Sequence, residues 1–329
     1  MAYLTSTFNS ANDLLTQLSG FAQGAGWTED HVAGDRLFLT KGTVSVAFRH
    51  AASNPTWIAM YQHESFLNTG TQPGQHTNDS GQGEISASNT TLDNGRGFNV
   101  NNNGGGTFYF FADGDYIHAV IEKDANWYEH FGFGSIAKNG TWTGGEYCYG
   151  QYHLGGNTTG ATNADAATSN WILDGGVAST SLTIQRYMAS MRAVGLPGQG
   201  GASSWILAGN PENNVSGNDR SGQGRDHFQG GFRGGGDAQS FARFTSNNTS
   251  GFIPMYDIKC WWKDQTPLDR FYWLGTMKDV RGINVQFFEG ADEIQIGGDT
   301  WKIFPARYKT NAGYTGGSTG NLGIAYRKV

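Results

Sequence analysis

Acidic, imidazole and thiol side chains concentrate in residues 127–153 of this 329-residue chain, WYEHFGFGSIAKNGTWTGGEYCYGQYH. The stretch contains two glutamates, two histidines and one of the two cysteines: Glu129, Glu146, His130, His153 and Cys148. Such groups could bind a metal, or act as an acid–base pair among rings that stack on sugars. They could equally hydrogen-bond the exposed backbone of a glycine-rich corner.

A metal site in this stretch would draw on four side chains, which are His130, Glu146, Cys148 and His153. Zinc ligands usually lie at short spacings that one turn can hold, and no such spacing occurs here. The second cysteine, Cys260, lies 112 positions after Cys148 (260 − 148), so there is no CxxC pair, and the two thiols could pair or stay reduced. The spacing favours structural hydrogen bonds, and we expect no cofactor.

Catalytic interpretations of the same stretch find little support. Glu129 and Glu146 could serve a glycosidase, whose paired carboxyl groups lie about 5–5.5 Å or about 6.5–9.5 Å apart. Residues 132–137 match the pattern G-x-G-x-x-A, but Lys138-Asn139-Gly140 would end any helix that should follow. The three arginines of residues 220–236 are balanced by nearby aspartates. We therefore expect a protein that is not an enzyme.

Composition favours a β-rich chain that buries surface against partners. Aromatic residues make up 13% and glycine accounts for 50 positions, which suits short strands joined by turns that need positive φ. Charged residues are only 15% and the net charge is −6, so we expect no sequence-specific nucleic-acid partner. The N-terminus does not resemble a signal peptide, and no apolar run approaches the ~18 residues of a membrane span. We expect no membrane partner.

Hydrophobic spacing predicts one short helix and then antiparallel hairpins. Asn9 or Ser10 could cap the helix, and its apolar face comprises Leu14, Leu15, Leu18 and Phe21. Turns between apolar runs predict hairpins at Lys41-Gly42, Asp113-Gly114 and Gly297-Gly298. Further strands are expected at residues 57–61, 205–207, 255–262, 271–275, 283–287 and 322–326, whereas 181–194 fits either a helix or a strand.

The predicted fold class is mainly β: antiparallel sheets or a sandwich, with a short N-terminal helix and long Gly/Asn-rich loops. Residues 1–154 form the helix and a β-rich core, 155–250 a loop-rich middle with an extended arm, and 251–329 a C-terminal β-rich part that packs on the same core. The polar excursions 68–106 and 209–239 exceed the usual loop length. We expect them to act as arms that order against a neighbouring subunit.

Several glycine- and aromatic-rich stretches resemble structural proteins of tailed bacteriophage virions. The first is residues 140–147, GTWTGGEY. The others are 38–49 (FLTKGTVSVAFR), 128–134 (YEHFGFG), 280–284 (VRGIN), 296–301 (IGGDTW) and 323–328 (GIAYRK). Together they span most of the chain. The resemblance implies a virion component of the neck, tail or baseplate, assembled in the host cytoplasm, with no catalytic residues to carry over.

The resemblance and the low charge together predict a subunit that forms a ring with copies of itself. Its other partners would be virion proteins of the tube, sheath, connector or baseplate. One alternative is a baseplate or tail-fibre-attachment adaptor. Another is a carbohydrate-binding tail module, with or without glycosidase activity, that stacks sugars on exposed Trp142, Trp261 and Trp262. The structural or interface candidates are Glu129, His130, Trp142, Gly144, Gly145, Glu146 and Trp301.

Overall fold

The computed structural model of the chain describes residues 2–33, 35–51, 54–67, 75–79, 96–100, 105–152, 189–196, 205–208, 227–230, 255–263, 271–306 and 322–328. The elements of the N-terminal half are β1 (Ala2–Phe8), α1 (Ala11–Gly24), β2 (Thr28–Ala33), β3 (Arg36–Lys41), β4 (Val44–Ala51), β5 (Asn54–Leu67), β6 (Gln75–Asp79), β7 (Arg96–Asn99), β8 (Gly106–Asp113), β9 (Tyr116–Asp124), β10 (Trp127–Ser135), β11 (Ala137–Lys138), β12 (Thr143–Tyr149) and β13 (Gln151–Tyr152). Those that follow are β14 (Ala189–Val194), β15 (Trp205–Ala208), β16 (His227–Gly230), β17 (Met255–Lys263), β18 (Phe271–Asn284), β19 (Asp292–Ile296), β20 (Asp299–Pro305) and β21 (Leu322–Lys328).

The fold is mainly β, as predicted, and its strands form two sheets. The larger sheet has the order β1-β8-β9-β10-β12-β14-β15-β16-β17-β18-β21-β20-β19, with β11 pairing to β18. The smaller sheet has the order β13-β7-β5-β4-β3-β2, with β6 pairing to β5. Neighbouring strands are antiparallel except β15 and β16, which meet in parallel at one residue pair.

The N-terminal helix is confirmed, and its start follows from a side-chain cap. Ser10 lies before the first turn, and its hydroxyl accepts a hydrogen bond from the backbone N–H of Asp13 at 3.1 Å. The apolar face of the helix is buried against the sheets. After the helix the chain turns back, since the backbone N–H of Trp27 donates to the carbonyl of Ala22 and the Trp27 ring is buried.

The three predicted hairpins are also confirmed. Gly42, Gly114 and Gly297 have φ of 58°, 57° and 62°, the left-handed conformation that these tight turns need. One expectation was wrong in detail, and one strand was not predicted. Residues 271–275 and 283–287 were expected to be separate strands, but 271–284 form the single strand β18. The strand β1 was not predicted, although it pairs with β8 over its whole length.

Parts of both polar excursions belong to the chain's own sheets. Within 68–106, β6 and β7 pair with β5, and the anchors Phe98 and Val100 are fully buried. Within 209–239, β16 pairs with β15 and β17. Most of the remaining residues of these excursions lie outside the described part of the chain.

The central strands β8, β9, β10 and β12 form a middle layer that is buried on both faces. One face packs against α1 and the smaller sheet, where the Phe131 ring stacks on Phe98 with centroids 3.8 Å apart. The other face packs against β17, β18, β20 and β21, where Phe111 stacks on Tyr326 at 5.1 Å. Alternate side chains of each middle strand therefore enter two different cores.

Candidate functional site

The two glutamates that suggested a glycosidase lie far apart. β10 and β12 pair antiparallel, and Glu146 lies opposite Ser135 in the register. Glu129 is six residues from Ser135 on β10, which places it about 20 Å away along the strand at ~3.3 Å per residue. That separation exceeds the spacing of either glycosidase mechanism. Glu129 and Glu146 therefore do not form a catalytic pair.

The side chains that suggested a metal site also diverge. His130 faces the core shared with β20 and β21, whereas Cys148 faces the core shared with the smaller sheet. Among the described residues, no cluster of three potential ligands occurs, and His153 lies outside that part of the chain. The thiols of Cys148 and Cys260 are not joined in a disulfide, and each is buried in a different core.

Four buried rings instead form two hydrogen-bonded histidine–tyrosine pairs, which lie side by side where the middle layer packs against β21. His118 Nδ1 lies 3.0 Å from the Tyr149 hydroxyl, and His130 Nδ1 lies 2.8 Å from the Tyr326 hydroxyl. The His118 and Tyr326 rings also pack against each other, with their centroids 5.7 Å apart. Each histidine is also fixed by a backbone carbonyl, because His118 Nε2 lies 2.9 Å from the carbonyl oxygen of Lys278 and His130 Nε2 lies 2.9 Å from that of Pro305. We call His118, Tyr149, Tyr326 and His130 the ring cluster.

A glycine in the middle of β10 makes the ring cluster possible. Gly132 lies opposite His118 on β9 and opposite Tyr149 on β12. A Cβ at position 132 would lie 2.6 Å from Tyr149 Cε1 and 2.8 Å from His118 Nδ1, closer than real Cβ atoms approach other atoms. Without that Cβ, the two flanking side chains meet above the glycine. The GFG stretch thus has a steric function, and it lies in a strand rather than at the start of a nucleotide-binding helix.

Burial controls the protonation of the ring cluster. His118 and His130 are both fully buried, and desolvation lowers the pKa of each to about 4. Desolvation raises the pKa of the Tyr149 and Tyr326 hydroxyls above their ordinary range. All four rings are therefore neutral at pH 7. All four side chains are fully buried in the described part of the chain, so they do not contact solvent there.

Charged side chains continue the network from the His118 end toward the surface. The Tyr116 hydroxyl donates to Asp279 Oδ2 at 2.5 Å, and Arg327 donates to Asp279 Oδ1 at 3.1 Å. Asp279 has φ of 52°, a left-handed conformation that is uncommon outside glycine. Lys278 is paired with Asp115 at 2.6 Å. These pairs join β18 and β21 to the turn before β9.

The remaining candidate glutamates are buried but differ in their partners. Glu129 Oε1 lies 2.9 Å from Lys123 Nζ, on the neighbouring strand. Among the described residues, Glu129 Oε2 and Glu146 Oε2 are both buried without a hydrogen-bond partner. The structure therefore assigns Glu129 to an ion pair within the fold.

The Trp-Thr-Gly-Gly turn is a tight corner that requires glycine. The Trp142 indole N–H donates to the carbonyl of Asn139 at 3.1 Å, with Lys138 Nζ 5.6 Å from the ring centroid. Gly144 and Gly145 have φ of 116° and 103°, and a Cβ at Gly144 would lie 2.1 Å from the carbonyl oxygen of Arg192. Only glycine fits there. The corner holds β12 against β14.

The other tryptophans differ in how deeply they are buried. Trp262 was expected to be exposed, but it is fully buried in the core between the layers and cannot stack on a sugar. Trp261 is partly buried. Trp273, which was not a candidate, is 41% exposed. Trp301 is buried, and the Arg281 guanidinium lies 4.7 Å from its ring centroid.

No protein-family model matches the chain, and no curated protein sequence matches it. Within the described residues, no helix is both long and apolar enough to cross a bilayer.

Proposed function

We propose that the chain is a structural subunit of a bacteriophage virion, forming a ring in the neck or tail through contacts between copies of itself. The sequence resemblance supplies the virion context. The structure supports an assembly function through the open edges of its larger sheet. β1 and β19 end the strand order, and each has a strand neighbour on only one side among the described residues.

Edge strands offer unpaired N–H and C=O groups to another chain, and strand addition is a common means of assembly. β1 presents an exposed stretch over residues 4–7 that is polar from Thr5 to Thr7, whereas β19 begins with two acidic residues. Because the two edges differ in sequence, they suit a contact between unlike surfaces. Such heterologous contacts close into rings when the rotation between copies is right.

The first test measures the assembly state of the purified chain by native mass spectrometry and negative-stain imaging. We expect discrete rings. Ser6→Lys on β1 and Gln295→Lys on β19 should shift the distribution to smaller species, because a charge on an edge discourages pairing. Asn12→Lys, on the exposed face of α1, adds the same charge away from any edge and should leave the rings intact.

A wild-type chain that stays monomeric at high concentration and is absent from virions would contradict the proposal. If rings still form in both edge variants, the strand edges are not the contact between subunits, although the proposal of a ring would stand. Locating the density of this chain in a whole-virion map would distinguish a neck or tail position from a baseplate adaptor.

A carbohydrate-binding function is a second candidate, supported by one surface feature. Exposed Trp273 and half-buried Trp142 both flank Asn139, whose side-chain amide donates to the Trp273 carbonyl at 3.1 Å. Lys259 Nζ lies 5.4 Å from the Trp273 ring centroid. Exposed aromatic rings can stack on sugar faces. Glycan-array binding that is lost in Trp273→Ala and in Trp142→Ala would support it, and an array without binding would exclude it.

A further inference from the structure

Three tryptophans meet on the outer face of the sheet formed by β17 and β18. Trp261 lies directly opposite Trp273 in the register, so the two side chains leave the same face. That face points away from the core, because Trp262, the next residue along β17, is buried in it. Trp142 joins them through Asn139, which hydrogen-bonds to both Trp142 and Trp273. We call the three tryptophans, together with Asn139, Lys138 and Lys259, the tryptophan patch.

Two of the indole rings are held in place by hydrogen bonds within the fold. The Trp142 indole N–H donates to the carbonyl of Asn139 at 3.1 Å, and the Trp273 indole N–H donates to the carbonyl of Gly275 at 2.8 Å. The backbone N–H of Asn139 donates to the carbonyl of Leu274 at 2.7 Å, which ties the turn that carries Trp142 to β18. Because the rings are already ordered, a ligand that stacks on them loses little affinity to side-chain ordering.

Each of these two rings also carries a lysine. Lys138 Nζ lies 5.6 Å from the Trp142 ring centroid, and Lys259 Nζ lies 5.4 Å from that of Trp273. Among the described residues, no carboxylate pairs with either ammonium group, and Asp257, two residues before Lys259 on β17, pairs with an arginine at 3.3 Å. The tryptophan patch is therefore locally positive on a chain whose net charge is −6.

The polar groups of the tryptophan patch suit a ligand that has both hydroxyl groups and negative charge. The side-chain oxygen of Asn139 accepts no hydrogen bond from any described residue, and Thr141, beside Trp142, is exposed. Both side chains can hydrogen-bond a hydroxyl group. A lysine ammonium forms its stronger hydrogen bonds with an ionised acceptor such as a carboxylate. Exposed indole faces can stack on sugar rings.

We propose that the tryptophan patch binds a saccharide whose sugar units carry carboxylate groups, such as a uronic acid. Sugar rings stack on the exposed indole faces, and a carboxylate accepts hydrogen bonds from Lys138 or Lys259. The inference rests on the carbohydrate-binding candidate described above and names its class of ligand. It does not depend on assembly of the chain into a ring of subunits.

Single-stranded nucleic acid also combines flat rings with negative charge, but it fits the tryptophan patch less well. Sites for it follow the phosphate backbone over about 4–16 nucleotides with a positively charged groove, and much of their affinity comes from neutralised phosphates. Lys138 and Lys259 can neutralise only two phosphates. The hydroxyl-binding groups Asn139 and Thr141 match a saccharide better.

The test measures binding of the full chain to a glycan array whose members come in matched pairs, one with a carboxylate and one with the same sugar as its methyl ester. Oligodeoxythymidine is printed on the same array. We expect binding to carboxylated members, with apparent affinities about tenfold or more above those of their esters, because a charge-assisted hydrogen bond is lost in the ester. Added salt should weaken binding to the carboxylated members, since it screens exposed charges.

Variants separate the charge from the indole rings. The double variant Lys138→Gln, Lys259→Gln should lose the preference for the carboxylated member of each pair and keep the weaker binding to the ester. Trp273→Ala should lose binding to both members. Lys41→Gln is the matched control, because it removes the same charge from β3 of the smaller sheet and should leave the preference unchanged. Circular dichroism checks that each variant is folded.

The outcomes distinguish this inference from the carbohydrate-binding candidate. Equal binding to both members of the pairs would overturn the acidic preference and leave the candidate standing. An array without any bound saccharide would exclude both. Binding to oligodeoxythymidine in place of the saccharides would assign the tryptophan patch to nucleic acid and overturn the inference. A preference for carboxylated members that survives the double lysine variant would also overturn it.

Discussion

A methyl group at Gly132 should destabilise the protein through the ring cluster. In Gly132→Ala, the new Cβ would lie 2.6 Å from Tyr149 Cε1 and 2.8 Å from His118 Nδ1. Both neighbours are fully buried, so neither side chain can move into solvent. Overpacking typically costs about 1–3 kcal/mol, and breaking a buried hydrogen bond adds about 1–3 kcal/mol. The expected loss in free energy of unfolding is about 2–6 kcal/mol.

The assay is urea unfolding followed by far-UV circular dichroism, with Gly20→Ala as the matched control. Gly20 lies inside α1 with no atom within 4 Å of its would-be Cβ. The same change of hydrogen to methyl should stabilise the helix there by about 1 kcal/mol. In a Tyr149→Phe background, Gly132→Ala should cost less, because the hydrogen bond is already gone. If Gly132→Ala is as stable as the wild type, the steric argument for the ring cluster is wrong.

Three further predictions concern buried polar groups. Stability should fall as the pH drops from about 6.5 to about 4, because the lowered pKa values of His118 and His130 let the unfolded chain bind more protons in that window. The free energy of unfolding should fall by about 3 kcal/mol per histidine over this range, as measured by denaturation curves at different pH values. This fall should be absent from the double variant His118→Gln, His130→Gln. Lys123→Met should cost about 3–5 kcal/mol by leaving the Glu129 carboxylate buried without its partner, and adding Glu129→Leu should recover most of that. A double variant no more stable than Lys123→Met would contradict this. Cys260→Ser should lower the free energy of unfolding by about 1–3 kcal/mol in thermal denaturation, since it places a hydroxyl in an apolar core. An unchanged stability would contradict this and would mean that the new hydroxyl finds a hydrogen-bond partner.

Local signals predicted most of the regular elements. The hairpins at Gly42, Gly114 and Gly297 combine a turn that needs positive φ with flanking apolar runs, and both signals are local. β1 escaped prediction because it lies at an edge, where residues 4–7 are exposed and no alternation of apolar and polar residues develops. β18 was predicted as two strands because polar residues interrupt its apolar pattern near Asp279, which adopts a left-handed conformation.

The candidate site was predictable only in part. Local composition singled out His130, yet its partner Tyr326 lies 196 positions away in the sequence. Neither residue type nor spacing specifies which distant strand covers a given face, because that choice depends on sheet order. A local signal for the ring cluster did exist: Gly132 sits inside a strand of large residues, where glycine often marks a close approach of neighbouring groups.

The middle layer has a consequence for synthesis on the ribosome. Its last strand ends at Tyr149, but the strands that cover its histidine–tyrosine face begin with β17 at Met255, 106 residues later (255 − 149). At about 5–20 residues per second, roughly 5–20 s pass between the synthesis of Tyr149 and that of Met255, and the face stays exposed during this time. During this interval a nascent chain exposes aromatic surface that can associate with other chains. Chaperone capture during translation should therefore be strongest after residue 149 is synthesised and should end once β21 emerges.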